Sequence, residues 1–153
     1  MLLDERSRGS SFVWSKNFEL GESTFDQEHR AFVGAIARLQ SCPDDQLIDA
    51  LNEFERHAIE HFGEEDRQIN RGYPAGKCHL DDHRAVLASV AEVRGLVIAG
   101  NLTVGRRLAD ELARWFPEHT DAMDRGLVVW IQRKRLGGIR IAMPTRRDAQ
   151  GSG

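Results

Sequence analysis

The 153-residue sequence contains only two cysteines and no long run of apolar residues. Cys42 and Cys78 cannot supply a disulfide framework, and reduced thiols are typical of the cytoplasm. No apolar stretch approaches the roughly 20 residues that a membrane-spanning helix requires. Residues 1–6 also lack the apolar centre of a secretory signal. These absences predict a cytoplasmic protein that has no membrane span.

Acidic residues outnumber basic residues until the last part of the chain. Six basic residues and one acidic residue lie from Ile131 onward, a charge of +5, so the preceding part carries −8 within a net charge of −3. An acidic body without a basic stripe does not favour a nucleic-acid partner. For the basic tail we expect a solvated segment, with a docking segment for a protein partner or an anionic surface as the alternative.

Four segments carry apolar residues at helical spacing, and we see no credible strand. Short connections between the helices predict an all-α fold, an antiparallel up-down-up-down four-helix bundle. Ser23 is the expected cap of the first helix. We divide the chain into an N-terminal extended arm (1–22), the bundle (23–127) and a basic C-terminal extension (128–153), in which the helix could also continue and pack Trp130 onto the bundle.

Polar side chains interrupt the apolar face of every helix. One histidine on an apolar face is most often structural, but five histidines and a glutamate cannot satisfy one another in a dry core, because a neutral imidazole needs both a donor and an acceptor. A bound metal resolves this conflict. The residues are His29, His61, Glu65, His79, His83 and His119.

The number and type of these candidate ligands favour two iron ions. One zinc takes about four ligands, and neither the His-Glu-x-x-His pattern of zinc proteases nor the repeated Glu-x-x-His pattern of ferritin-like proteins occurs in the sequence. More than four ligands suggest two metals. Imidazole-rich surroundings without thiolates suit iron, with carboxylates as bridges.

The spacing of these residues resembles the ligand signature of the hemerythrin family, in its bacterial branch. The similarity extends from Phe12 to about Leu127 and includes Tyr73-Pro74 before the third helix. The sequence carries four elements in order: His29 preceded by Asp26, His61-x-x-x-Glu65, His79-x-x-x-His83 and His119-x-x-x-x-Asp124.

The resemblance implies a non-haem di-iron centre bridged by an oxo or hydroxo group and by the carboxylates of Glu65 and Asp124. Members of the family bind dioxygen reversibly at such a centre. One iron would then be a ligand short, and dioxygen would bind there. By analogy the histidines divide into two sets: His79, His83 and His119 on one iron, and His29 and His61 on the other.

Asp124 is the least regular member of this set. Five residues of an ideal helix turn through about 500°, which leaves Asp124 roughly 140° away from His119. Asp124 therefore reaches the metals only if the helix is unwound or bulged, which Pro117 and Gly126 could permit. Asp121 is the rival ligand, and we favour Asp124 because of the family pattern.

Several neighbouring residues have two interpretations. Four aromatic residues are expected to form an apolar wall beside the open iron and keep water away from bound oxygen, although aromatics at helical spacing are usually plain core: Phe32, Phe62, Trp115 and Phe116. His57 is either a half-exposed histidine or a partner that orients His61 or relays protons. Asp26 either caps the first helix, which we prefer, or bonds a ligand.

Reversible oxygen binding for storage, delivery or sensing is the first functional hypothesis. The second is an enzyme on the same scaffold that reduces nitric oxide or peroxide, or an iron-handling repair protein. We favour binding over catalysis because no additional acid–base constellation or electron-donor motif is visible. The third is a metal-free interaction module that works through its basic tail.

Overall fold

Four long helices form the framework in the computed structural model, which describes residues 11–137. Each helix contacts the next one along the chain, and the first also contacts the fourth, which closes a bundle. This arrangement, with no strand in residues 11–137, confirms the predicted all-α four-helix bundle. The helices are α1 (Ser23–Ser41), α2 (Leu47–Ile69), α3 (Gly76–Ile98) and α4 (Leu102–His119).

Local sequence sets the ends of these helices. Glu22, not Ser23, caps α1, because its backbone is extended and its carboxylate accepts the N–H of Phe25 at 2.8 Å. The prediction of a Ser23 cap was therefore wrong by one residue. Gly72 and Gly100 have φ angles of +115° and +105° and reverse the chain after α2 and α3, a conformation that glycine adopts at little cost.

The apolar core lies on both sides of a buried polar layer. The larger cluster fills the half of the bundle where α1 ends and α2 begins, with Leu39 and Leu47 among its members. A smaller cluster of Ile69, Leu127 and Ile131 lies beyond the polar residues at the opposite end. The polar layer is therefore enclosed by apolar side chains at both ends.

The segment before α1 lies against the bundle. It contains one short 3-10 turn, Lys16–Phe18, and its aromatic residues Phe12, Trp14 and Phe18 pack on the larger core cluster. The rings of Phe12 and Phe18 form T-shaped contacts with that of Phe116 at centroid distances of 5.9 and 5.5 Å. The arm therefore covers a residue of the predicted oxygen pocket.

The fourth helix continues well past residue 127. A π-helical turn, Thr120–Asp124, joins α4 to α5 (Arg125–Arg135), in which Val128 and Ile131 are buried. The extended helix is confirmed as far as Arg135; the expectation of a solvated segment was wrong for Val128 and Ile131, whereas Arg133, Lys134 and Arg135 are exposed. The rest of the basic tail, from residue 138, lies outside the described residues, as do residues 1–10. None of the helices within residues 11–137 combines the length and the apolar composition that a membrane span requires.

Candidate metal centre

The polar layer brings together all seven side chains that the sequence analysis assigned to a metal centre. Every one of them is buried, with at most 6% of the residue exposed. Each of the four long helices supplies at least one, because the histidines and Glu65 occupy positions on the inward apolar faces. The residues are His29, His61, Glu65, His79, His83, His119 and Asp124.

The seven residues form two overlapping groups. One contains Glu65, Asp124 and three histidines, and the other contains Glu65 and two histidines, with the ligand atoms of each group within 4.8 Å of one another. Glu65 belongs to both groups through different oxygens. Its Oε1 lies 3.1 Å from His79 Nε2, and its Oε2 lies 2.6 Å from His61 Nε2. The three-histidine group is His79, His83 and His119, and the two-histidine group is His29 and His61.

Asp124 divides its oxygens between the groups in the same way. Its Oδ1 lies 2.8 Å from His79 Nε2 and 3.2 Å from His119 Nε2, whereas its Oδ2 lies 3.3 Å from His29 Nε2. Two carboxylates therefore each present one oxygen to the three-histidine group and the other to the two-histidine group. Two cations placed in these groups could share both carboxylates.

The π-helical turn explains how Asp124 comes to face inward. The N–H of Arg125 donates to the carbonyl of Thr120, five residues earlier. A residue five positions after His119 then lies about one turn further on and on the same side of the helix. The expected bulge is confirmed, and Pro117, which lacks an N–H, lies just before it. Asp121, the rival residue, is exposed and pairs with Arg125 at 3.1 Å.

The histidine nitrogens show why a cation fits this layer. In residues 11–137, the buried His83 Nε2, His119 Nε2 and Asp124 Oδ1 have no partner in hydrogen-bond geometry, although His119 Nε2 lies only 3.2 Å from Asp124 Oδ1. On the far side of the rings, the Nδ1 atoms of His83 and His119 each lie 2.7 Å from a carboxylate oxygen, of Asp66 and Asp82 respectively. An ionised carboxylate can only accept, so these imidazoles donate from Nδ1, and in the neutral ring the lone pair is then on Nε2, which faces the centre.

Asp66 and Asp82 were missed in the sequence analysis. Both lie next to a candidate ligand in the sequence, Asp66 after Glu65 and Asp82 before His83. That adjacency is a weak signal, because each aspartate contacts a histidine on the next helix and not its own neighbour. An acceptor for the Nδ1–H of a metal-binding histidine is, however, a general requirement that could have prompted a search for them.

Charge within the layer is balanced between acids and imidazoles. Burial lowers the pKa of His79, but the adjacent carboxylates of Asp124 and Glu65 outweigh it and raise that pKa to about 9. Burial raises the pKa of Glu65, but the surrounding imidazoles, His61 foremost, hold it well below the ordinary value. Without a metal, the carboxylates are therefore ionised and protons partly replace the cations.

The four predicted pocket aromatics lie together beside this layer. They line a narrow cavity whose wall also includes His29, His61, His119 and Asp124. Two of the aromatics stack on histidines. The ring of Phe62 lies 4.1 Å from that of His83, and the ring of Trp115 lies 4.3 Å from that of His119. The remaining pair, Phe32 and Phe116, stack on each other at 5.5 Å.

The two residues with open interpretations lie outside the layer. His57 is half-buried, and its ring is parallel to that of His61 at 6.3 Å, without a direct hydrogen bond between them in the described structure. Asp26 accepts the N–H groups of Leu20 and Gly21 at 2.8 and 3.2 Å. It therefore ties the arm to the first turn of α1, a contact closer to capping than to the bonding of a ligand.

A four-helix bundle with buried histidines and shared carboxylates defines a class of helical proteins built to bind cations. A family model for the hemerythrin HHE cation binding domain matches residues 20–131. A curated protein named bacteriohemerythrin, from Ralstonia nicotianae, is 34% identical over 122 residues, which cover 79% of this chain and 89% of that protein. No solved structure gives a significant match. The chain belongs to the hemerythrin family.

Proposed function

We propose that this protein binds dioxygen reversibly at a pair of iron ions bridged by an oxo or hydroxo group, for oxygen storage, delivery or sensing. The carboxylates of Glu65 and Asp124 would bridge the ions. The iron pair would supply the electrons for oxygen binding when present. The histidines would divide as the two groups do: His79, His83 and His119 for one ion, and His29 and His61 for the other.

One observation carries this proposal, the division of both carboxylates between the two histidine groups. Glu65 and Asp124 each place their two oxygens toward different groups, at 2.6 to 3.3 Å from histidine nitrogens. A single ion would leave one oxygen of each carboxylate and two histidines without a cation. An imidazole and carboxylate donor set without thiolate suits iron.

The unequal ligand counts support uptake of dioxygen on the two-histidine side. That side has one histidine fewer, and both of its histidines line the narrow cavity walled by the four aromatics. Phe32, Phe62 and Phe116 are at most 2% exposed, so the aromatic side of the cavity is shielded from solvent. An apolar wall limits the entry of water and protons, which favours release of dioxygen over its reduction.

A wider opening reaches the same side from the surface. A cavity of about 300 Å³ lies beside α1 and α2, with His61 and Glu65 in its wall next to Glu28 and Phe25. This cavity supplies a route for small molecules to the two-histidine group. Both cysteines are free thiols, which supports the cytoplasmic location that we include in the proposal.

The test is a visible spectrum of the reduced, iron-loaded protein before and after oxygen is added and removed. We expect two iron ions per chain and an oxygen-dependent band that disappears under argon and returns with oxygen. Rapid, irreversible oxidation by oxygen, or turnover with nitric oxide or peroxide, would contradict reversible oxygen binding and would favour an enzyme on the same scaffold. Absence of iron after purification from iron-replete cells would refute both.

A further inference from the structure

We propose that Asp66 and Asp82 are positioning residues that make the three-histidine group the tighter metal position, which fills first. This inference rests on the proposed metal centre and adds an order of loading to it. It concerns two carboxylates that lie outside the set of candidate ligands and touch the centre only through the histidines.

Each aspartate bonds a histidine of the following helix. Asp66 on α2 accepts from His83 on α3, and Asp82 on α3 accepts from His119 on α4, both at 2.7 Å. The indole N–H of Trp115 also donates to the same oxygen of Asp82, at 3.2 Å. Both aspartate side chains are 34% exposed and therefore also reach water, while the rings they hold are buried.

The hydrogen bond changes what the far side of the ring can do. A proton fixed on Nδ1 leaves Nε2 as a lone pair, the form that binds a cation. The negative charge of the acceptor also makes that lone pair a stronger donor. Loss of such an outer partner typically costs about 10- to 100-fold in metal affinity.

The two-histidine group has no equivalent support. The buried Nδ1 of His29 has no hydrogen-bond partner within the described residues. The nearest carboxylate oxygen to His61 Nδ1 is on Glu28 at 3.9 Å, which is too long for a hydrogen bond. Carboxylates therefore hold two of the three histidines in one group and neither in the other. His79 Nδ1 in the three-histidine group is also without a partner in residues 11–137.

Aromatic packing reinforces the same difference. His83 is stacked on Phe62 with an interplanar angle of 5°, and His119 is stacked on Trp115 with an angle of 23°. A ring fixed by a hydrogen bond at one edge and a stack on one face needs little reorganisation to bind a cation. In the two-histidine group, His29 meets its neighbours edge-on, at 75° to His61 and 84° to Phe116. The ring parallel to His61 is that of His57, at 6.3 Å instead of the 4.1 and 4.3 Å of the other two stacks.

The experiment is an anaerobic titration of the metal-free full-length protein with Co²⁺, followed by its visible spectrum and by calorimetry. We expect two binding steps of different affinity. In Asp66→Asn and Asp82→Asn the first step should weaken by about 10- to 100-fold, while the second changes little. His29→Ala should retain the first step and lose the second, which would locate the first ion in the three-histidine group.

Asp81→Asn is the matched control. Asp81 is next to Asp82 on α3 but is exposed and pairs with Lys77 and Arg84 at 3.4 and 3.6 Å. The Asp81→Asn substitution removes the same charge from a residue that contacts no histidine, so the affinities of both metal-binding steps should stay unchanged. Proton NMR of the Zn²⁺-loaded protein gives an independent measurement. The Nδ1–H resonance of His83 should move in Asp66→Asn, and that of His119 should move in Asp82→Asn. Neither resonance should move in Asp81→Asn.

The outcomes separate this inference from the proposed function. Two ions bound with equal affinity, or a first step that survives both aspartate substitutions, would overturn the loading order and leave the di-iron proposal standing. A first step lost in His29→Ala would place the first ion in the other group and also overturn it. Failure of the unaltered protein to bind any metal would refute the di-iron proposal itself.

Discussion

At the scale of single residues, Glu65 connects the two histidine groups. Glu65→Gln keeps the size of the side chain but removes its charge, so we expect iron content to fall. Stability should fall with it, because metal binding stabilises only the folded chain; the loss should be about 3 kcal/mol or more if iron normally exceeds its dissociation constant 100-fold. Metal analysis and thermal unfolding of the same preparation measure both effects.

The neighbouring Glu64→Gln is the control for that substitution. Glu64 is exposed and pairs with Arg67, so its loss should change neither iron content nor melting temperature. His61→Ala should behave like Glu65→Gln. Full iron content with an unchanged melting temperature in Glu65→Gln would show that this carboxylate does not hold the metals.

His79 gives the metal-free protein a dependence of stability on pH. Its pKa is about 9 in the folded chain against 6.5 for an ordinary histidine. The folded state therefore binds more protons than the unfolded state between these values, and this contribution, complete below pH 6.5, is lost as the pH rises through 9. We expect the free energy of unfolding of the metal-free protein, measured in urea, to be lower at pH 9.5 than at pH 6.5.

Two comparisons test the assignment of this pH effect to His79. His79→Gln should flatten the slope between pH 6.5 and 9.5. The metal-loaded protein should lose less stability over the same interval, because a histidine that binds metal is already deprotonated. A metal-free protein that became more stable with rising pH in this window would contradict the assignment.

Single residues also show how far the sequence alone could predict the site. His29, His61 and Glu65 were predictable because each is a polar residue on an otherwise apolar helical stripe. Asp66 and Asp82 were not predictable from periodicity. A partly exposed aspartate occupies the same kind of position in the helical pattern whether or not a histidine of the next helix lies 2.7 Å away. That contact depends on how far apart two helices lie and how each is rotated, which periodicity does not give.

At the scale of the elements, Gly126 lies two residues after the end of the π-helical turn. A Cβ atom at this position would lie 2.8 Å from the hydroxyl oxygen of Tyr73, whose ring packs on Trp130 at 5.5 Å. Gly126→Ala should therefore destabilise the protein by about 1–3 kcal/mol through overpacking. Tyr73→Phe, which removes the hydroxyl, should recover part of that loss in the double variant. Urea unfolding of the single and double variants measures the coupling.

Gly34→Ala supplies the matched glycine control. Gly34 is in the middle of α1, and no heavy atom of the described chain lies within 4 Å of a Cβ built there. Alanine should therefore stabilise α1 by about 0.5–1 kcal/mol. Equal effects of the two substitutions would show that helix propensity, and not the contact with Tyr73, governs position 126.

The helices themselves were largely predictable, and their irregular points less so. Apolar spacing gave the number and order of the helices, and proline and glycine gave their approximate ends. The bulge before Asp124 was predictable only because a carboxylate five residues after His119 could not otherwise reach the metals. The continuation of the helix to Arg135 was not favoured in advance. The sequence of a basic segment does not show whether it is a solvated tail or a helix whose Val128 and Ile131 are buried.

At the scale of the whole molecule, the N-terminal arm covers the outer side of the aromatic wall. Phe18→Ala removes a ring that touches Phe116 at 5.5 Å, so water should reach the cavity more readily. We expect the oxygenated protein to oxidise faster, measured as the rate at which its visible band decays in air. Val13→Ala is the control, since Val13 belongs to the same arm but is 72% exposed. Equal decay rates in the two variants would exclude a shielding role for the arm.

The candidate ligands come from all four long helices and from the turn after α4. This distribution determines which spectroscopic signals should change together when the protein unfolds. None of the four long helices could leave the bundle without taking a ligand with it, so an iron chromophore would report on the integrity of the four-helix bundle. On heating, loss of the iron absorption band and loss of helical circular dichroism should coincide in one transition, and the colour of a solution would serve as a measure of its folded fraction.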